Sequence, residues 1–543
     1  MKKDRYLYII LAIAFIALLV NLNSWSVIEA SEARYAEISR EMFRSGDLFH
    51  PTLLNIYHYH KPPFTFWLTA LGFQLFGVNA FGARFFLQLS LIVQGILVYL
   101  ISMRLFGDKM RSLLATVIYI SFPLSLMGAR NLTTDSFLTT LVLVVIYCMT
   151  TYYLKRQVWA IYGTAIFIGI GFLTKGPAIF VVPFFYWFYL MLSRQVDYRV
   201  PIKHLLASFI ICVSLGLSWY IYVGQQVPQL TDYFLGRQLV ARVLDDQAFE
   251  RAKPAWYYPL ILSTTTLPWF LIYIASLFRP SYRLFKMVEA RQLSLYWLLL
   301  PLFIFTLSSS KLMMYLLPIY PGLAMILTCL LANMVSSDLK RFTQAFLGFY
   351  LILGAIALLG PTIARSLGVD IVVTWQMTLS GLLVIAITLL TYRVERQRPK
   401  LRLGLISLFS ILTFIIYGGY FIGANELLIG GTRPIAQFIR AQGLEDQTVI
   451  VYNKLLPSLA FNLDRDIITI NDGGIERETQ FQTDEQWRKF WIYTNEPDAM
   501  NYLQSLVKKP SVLVTRSELS AECSWILESY SKSQVLGKWT IFY

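Results

Sequence analysis

Long apolar runs, each closed by basic or polar residues, recur along most of the 543-residue chain. They lie near 6–23, 85–103, 112–128, 136–154, 158–174, 177–193, 205–224, 258–278, 293–307, 312–334, 344–363, 371–392 and 403–422. A helix that crosses a bilayer needs roughly 20 mostly apolar residues. The pattern therefore predicts an α-helical polytopic membrane protein of about thirteen transmembrane helices. After residue 423 the pattern changes. Short β-branched runs (Thr448–Tyr452, Ser511–Val514) alternate with helix-like stretches (Pro434–Gln442, Asp498–Val507). That alternation predicts a small soluble α/β domain at 424–543, following a transmembrane domain at 1–423 that carries one long connection at 24–84.

Composition supports the membrane assignment: 56% of residues are hydrophobic and 15% charged, where a soluble domain carries about 25% charged. The net charge of +15 is placed by the connections. With the N-terminus (Met1-Lys2-Lys3-Asp4-Arg5) inside, alternate connections hold Arg104, Lys109 and Arg111; Lys155 and Arg156; Arg194, Arg199 and Lys203. Later ones hold Arg279, Arg283, Lys286 and Arg291; Lys340 and Arg341; and Arg393 to Arg402. Positive charge collects on the inner side, so an odd count puts the tail outside. The charge is thus explained without a nucleic-acid partner, and none is expected. Cys148, Cys212, Cys329 and Cys523 have no close-spaced pair and read as structural thiols. There is no glycine-rich phosphate loop, nucleophile elbow or internal repeat.

Candidate chemistry sits in the outer connections. In the first, Glu29 to Ile38 begins an amphipathic stretch expected to lie on the membrane, with Ala33, Ala36, Ile38, Met42 and Phe43 among charges. Arg34 with Glu37, or Glu41 with Arg44, could simply pair along that helix. Glu32 and Arg34 follow the first span directly and invite a functional reading. In the turn at 130–135, Asp135 opens a span, and a boundary carboxylate is a functional candidate. Lys175 and Lys311 stand at outer span ends. Snorkelling explains inner lysines more readily than outer ones, so these two suggest an anion site, with a lipid-linked phosphate as the anion available at that depth. The connection at 225–257 holds Arg237, Arg242, Asp245, Asp246, Arg251 and Lys253 before an aromatic rim, Trp256-Tyr257-Tyr258. It could cover a cavity or be an ordinary solvated loop.

Three ordered stretches carry a resemblance. They are Ser31-Glu32-Ala33-Arg34-Tyr35-Ala36-Glu37-Ile38-Ser39-Arg40-Glu41-Met42; His60-Lys61-Pro62-Pro63 before a helix containing Trp67; and Lys311-Leu312-Met313-Met314-Tyr315-Leu316-Leu317-Pro318. They resemble the bacterial lipid A aminoarabinose transferases and the wider protein O-mannosyltransferase-like superfamily. The resemblance implies a GT-C fold and a glycosyltransferase of the bacterial inner membrane, with its active face and tail periplasmic. Its donor would be a sugar on a polyprenyl-phosphate carrier, and its acceptor a lipid A-like lipid, a protein or a glycan of the envelope. In the family the first motif reads Asp-Glu-x-Arg-Tyr-Ala, with the Asp as its acid; here that place is Ser31. The acid is then Glu32 or Glu29, or the role passes to Asp135. The family's Glu-Lys-Pro becomes His60-Lys61-Pro62. The lysine, a phosphate ligand in the family, is kept, whereas the metal-binding glutamate is a histidine. The connection at 225–257 has no histidine to partner it, and His58 and His60 would point apart in an extended strand. No cofactor or metal is therefore expected. By the same likeness Lys175 and Tyr315 touch the carrier phosphate.

Substitution at an anomeric carbon with a phosphate leaving group calls for fixed cations. Lys61, Lys175 and Arg34 are the choices for that work; Tyr315, by the likeness, and Lys311, from its place at an outer span end, complete the expected carrier-phosphate site. A hydroxyl acceptor needs a carboxylate base, for which Glu32 and Asp135 are the candidates. The alternative from another class is a transporter or flippase for the lipid-linked sugar. Repeated halves and discontinuous helices would favour it, and the sequence shows no repeat.

Overall fold

Most of each of the thirteen apolar runs falls on helical backbone in the computed structural model. It describes residues 2–193, 200–236, 253–308, 310–394, 397–473, 475, 479–496 and 498–543. The charged residues Arg237, Arg242, Asp245, Asp246 and Arg251, and the basic Arg194, Arg199 and Arg396, lie outside the described residues. Among those described, nine helices are long and apolar enough to cross a membrane, or eleven if each of two bent pairs is one span. The runs at 158–174 and 177–193 form one continuous apolar stretch, Trp159–Leu192. The first run is a shorter apolar helix, Arg5–Leu19. The chain is a multi-pass membrane protein.

The bends have local causes. Lys109–Ile120 meets Pro123–Arg130 at 60°, and Tyr257–Thr265 meets Phe270–Phe278 at 109°. Pro123 and Pro268 stand at the two breaks, where proline's missing N–H and its ring interrupt the helical ladder.

The chain divides into two units. The first comprises Met1–Asn21, Phe85–Gly224 and Thr231–Phe421. Its centre is Met313–Ala332, buried along 94% of its apolar window, whereas Ile202–Gln226 is buried along only 22%. Leu205, Leu206, Phe209 and Ile210 on that outer helix are exposed, as lipid-facing side chains must be. Several polar side chains inside the bundle are matched to one another. Gln94 donates to the Ser136 carbonyl (2.8 Å) and accepts from the Tyr119 hydroxyl. Trp269 Nε1 donates to both Ser121 and Ser407 at 2.9 Å. At Gly322 a Cβ would fall 2.4 Å from the ring of Trp297, so only glycine lets these two segments approach so closely.

Arg130 turns out to be a structural residue. Its guanidinium donates to the carbonyls of Leu18 (3.0 Å) and Val20 (2.9 Å) and to the Asn21 side chain (2.9 Å). It thereby satisfies the open carbonyls at the end of the first helix, where the helix dipole also favours a cation.

The second unit comprises Leu22–Arg84, Gln225–Leu230 and Ile422–Tyr543, so the long first connection and the tail fold together. A small hairpin, β1 (Thr52–Leu53) and β2 (Ile56–Tyr57), lies in the connection. The tail holds a six-stranded sheet. Its strands are β3 (Thr448–Tyr452), β4 (Ile468–Asn471), β5 (Trp491–Tyr493), β6 (Ser511–Thr515), β7 (Ser533–Leu536) and β8 (Trp539–Phe542), in the order β5-β4-β3-β6-β8-β7. The first four in that order run parallel, and the last two pairings are antiparallel.

Side chains alternate along a strand. Val449, Val451, Val512 and Val514 therefore enter one core, and Ile450, Tyr452 and Leu513 the other. Two covered faces explain why β3 reads as a continuous apolar run rather than an alternating one.

The helix Ser31–Ser45 was expected to lie on the membrane. Its apolar face is instead filled by protein: Ile38 and Met42 pack with Ile435, Ile439, Leu459 and Val451. Its charges are also engaged. Arg40 grips Glu37 through two bonds of 2.7 and 2.9 Å and reaches Asp466. Glu41 accepts from the Leu54 N–H at 2.7 Å, and Arg44 pairs with Asp464.

Candidate active site

In the membrane unit the site begins with a helical hairpin. Thr134–Lys155 and Trp159–Lys175 are joined by three residues, with Arg156 in the left-handed region at φ 56°. The short turn makes the helices antiparallel, so the start of one lies beside the end of the other. Asp135 is in the first turn of the first helix and Lys175 is the last residue of the second. Each charge sits at the helix end whose dipole favours it. Lys175 Nζ donates to Asp135 Oδ1, and both side chains are largely buried. The chain then leaves the helix through Gly176 at φ +60° and Pro177. The ammonium of Lys175 also lies 4.0 Å from the centroid of the Tyr315 ring, a desolvated cation–π contact.

Tyr315 belongs to the tight segment Met313–Ile319, which packs on Thr134–Lys155, Pro123–Arg130 and Tyr257–Thr265. Just before it, Lys311 is 6% exposed. It has no hydrogen-bond or ion-pair partner among the described residues. The buried hydroxyl of Thr133 lacks a partner among the described residues. Sequence reasoning placed Tyr258 in an aromatic rim. It is fully buried, whereas Trp256 is exposed.

The other expected residues lie in the second unit. Glu32, a candidate base, is held by Arg84: Nε and Nη2 donate to its two oxygens at 2.8 Å each. The Ile28 N–H adds a third bond at 3.1 Å. Arg84 is 0% exposed and also donates to the carbonyls of Leu22, Trp25 and Ser26. Its guanidinium lies 4.3 Å from the centroid of the Trp25 ring. Arg84 carries this arrangement and was missed from the sequence, where it reads as the ordinary basic edge of a span.

Glu29 accepts from the Ser458 N–H at 2.8 Å. Burial pushes its carboxyl up to about 7, against the opposing pull of Ser458 and the charge of Arg34. Arg34 is half-buried near the start of the helix, and Ser31, at the family's Asp position, is exposed. Lys61 is half-buried, and its Nζ donates to the His60 carbonyl at 3.0 Å. His58 and His60 do not point apart as expected. Residues 59–61 turn directly after β2, and the two rings stack with centroids 3.9 Å apart. Even so, among the described residues no three His, Cys, Asp or Glu side chains gather as a metal site. All four cysteines are free.

Comparison with known proteins places this geometry. The family model described as dolichyl-phosphate-mannose-protein mannosyltransferase matches residues 60–219. The undecaprenyl phosphate-alpha-4-amino-4-deoxy-L-arabinose arabinosyl transferase 2 of Pseudomonas fluorescens (strain Pf0-1) is 30% identical over 373 residues, which is 66% of each chain. The chain thus spans just under two thirds of that relative. The corresponding transferase 1 of Sodalis glossinidius is 27% identical over 87% of each chain. Among solved structures, ArnT from Cupriavidus metallidurans bound to undecaprenyl phosphate superposes with a TM-score of 0.76 at 19% identity. That match covers 99% of this chain and 97% of the other. The fold is shared along nearly the whole chain.

Proposed function

We propose that this chain, which belongs to the GT-C superfamily of membrane glycosyltransferases, moves a sugar from a polyprenyl-phosphate carrier to an acceptor of the cell envelope. The carrier is undecaprenyl phosphate and the sugar a 4-amino-4-deoxypentose, as the names of the relatives indicate. The acceptor is an envelope lipid of the lipid A type, with protein and glycan as the remaining classes. The reacting face and the tail are periplasmic, in keeping with the basic connections on the other side.

One observation carries the reading: the buried Asp135 and the half-buried Lys175 and Tyr315 form a contact cluster, and the buried Lys311 lies four residues before Tyr315 in the chain. In the reaction the acceptor oxygen attacks the anomeric carbon as the bond from that carbon to the phosphate oxygen breaks. The electron pair leaves with the phosphate. Lys175 and Lys311 supply fixed positive charge to the leaving group in a low-dielectric setting, where such charge counts most. Tyr315 holds the ammonium of Lys175 in place. When Lys175 turns to the phosphate, Asp135 is released and takes the proton of an acceptor hydroxyl. Attack from the face opposite the phosphate inverts the anomeric centre. Glu32 is less suited to the base role than its position in the motif implies, because Arg84 engages both of its oxygens. Arg34 and Lys61 enter as carrier-phosphate ligands on the motif likeness alone.

The test uses purified full-length protein, undecaprenyl-phosphate-linked aminopentose and lipid A, with products read by mass spectrometry. Glycosylated lipid A supports the proposal. Movement of the donor across proteoliposome membranes without a new glycosidic bond identifies a flippase instead.

A further inference from the structure

The second unit contains a cavity of about 370 Å³ that the transfer reaction does not use. One wall is the helix Arg433–Ala441. Ile435, Ala436 and Ile439 on its inner face are buried in the core shared with the sheet. Arg433, Gln437 and Arg440, spaced i, i+4 and i+7, therefore share the other face, and all three line the cavity. Asn23, Asn79 and Asn462 bring further amides to it, and no carboxylate lines it.

The two guanidiniums are only partly engaged. Arg433 donates through Nη1 to the carbonyls of Asn23 (3.1 Å) and Ser24 (3.3 Å), and the same atom lies 3.7 Å from Glu426. Arg440 donates through Nη2 to the Asn462 carbonyl at 2.6 Å. Each guanidinium has five N–H donors in a planar fork, so most remain open among the described residues. Such forks suit the paired oxygens of a phosphate.

A second feature selects the kind of phosphate. Val78, Asn79 and Ala80 form the cavity's edge. Directly before them ends the apolar helix Phe64–Phe76, on which Leu71, Leu75 and Phe76 are 41%, 58% and 38% exposed. Directly after them begins the candidate span Ala80–Phe106. A cationic cavity whose lining directly follows exposed apolar side chains in the chain, at the start of a span, matches a molecule with an anionic head and acyl tails.

We propose that the cavity lined by Arg433, Gln437 and Arg440 binds the phosphate headgroup of an anionic membrane lipid, whose acyl chains lie along Leu71, Leu75 and Phe76. The proposal is independent of the transfer chemistry, since no residue named for that chemistry lines the cavity.

The test measures binding of short-chain phosphatidylglycerol to the full-length protein in detergent, by native mass spectrometry and calorimetry. Short-chain phosphatidylcholine and inorganic phosphate are the comparison arms. We expect saturable binding of phosphatidylglycerol at one site, weakened about tenfold or more by R440Q and by Q437E. Gln437 and Arg440 are exposed, so their replacement perturbs the fold little, and Q437E decides the matter if R440Q is unstable. Phosphatidylcholine, whose head carries no net charge, should bind at least about tenfold more weakly. Unchanged phosphatidylglycerol binding in both variants overturns the proposal. Inorganic phosphate competing at the same concentration as the lipid also overturns it, because the cavity would then be a simple anion site.

Discussion

Replacing Glu32 with alanine separates a structural role for this acid from a catalytic one. Glu32 and Arg84 form a two-bond ion pair at 2.8 Å with 4% and 0% side-chain exposure. Removing one partner of a buried pair leaves the other charge uncompensated and costs roughly 3–5 kcal/mol. E32A should therefore lower the stability of the second unit by about that amount. R84M should cost more, since it also orphans the carbonyls of Leu22, Trp25 and Ser26, at roughly 1–3 kcal/mol for each group left buried and unpaired. The double variant E32A/R84M should be less destabilised than the two single effects added together, because neither charge is stranded. The assay is denaturant unfolding of the purified protein in detergent, with transfer measured on the same samples below the transition. An E32A protein with the wild-type unfolding midpoint and transfer reduced a hundredfold or more would refute the structural assignment and restore Glu32 as the base.

Other predictions follow from single contacts. Y315F should keep most transfer because the cation–π contact survives, whereas Y315A loses a hold of about 2 kcal/mol on Lys175; equal losses in steady-state rate would show that the hydroxyl matters instead. The Glu29 carboxyl is raised from 4.5 to about 7 by burial, so the folded state binds its proton more tightly than the unfolded state. Its contribution to stability is complete below pH 4.5, declines as pH rises towards 7 and is lost above it. Unfolding midpoints of wild type and E29Q should thus diverge across that window, with E29Q the flatter; parallel profiles would contradict this. G322A should destabilise the membrane unit by about 1–3 kcal/mol or more, because a Cβ there meets Trp297 at 2.4 Å; a thermal midpoint equal to wild type would show that Trp297 can yield.

Much of the fold was legible because bilayer crossing imposes length and hydropathy on each helix. The strands of the tail were legible too: β3 and β6 are short β-branched runs, and both faces of their sheet are covered. The helix Ser31–Ser45 was misplaced for a physical reason. Ala33, Ile38 and Met42 make the same apolar stripe whether it meets lipid or the core of Ile435, Ile439 and Val451. Asp135 and Lys175 stand out by type and position and Tyr315 by the family likeness, but their meeting depends on the hairpin and on the Met313–Ile319 segment, neither of which the local pattern specifies. Arg84 left no signal, since its carbonyl partners are distant in sequence. The stacking of His58 on His60 depends on a turn that an extended reading does not contain.

The most direct test of the account is a single-turnover measurement with undecaprenyl-phosphate-linked aminopentose and lipid A in nanodiscs, comparing wild type with K175A and D135N. Lys175 is assigned to the leaving phosphate. K175A should therefore lower the rate of the chemical step by about 10²–10³, the cost of removing one fixed group that stabilises developing charge. D135N should slow a hydroxyl acceptor while leaving carrier binding intact. Transfer by K175A at the wild-type single-turnover rate would contradict the claim that the Asp135–Lys175–Tyr315 cluster is where the sugar leaves its carrier.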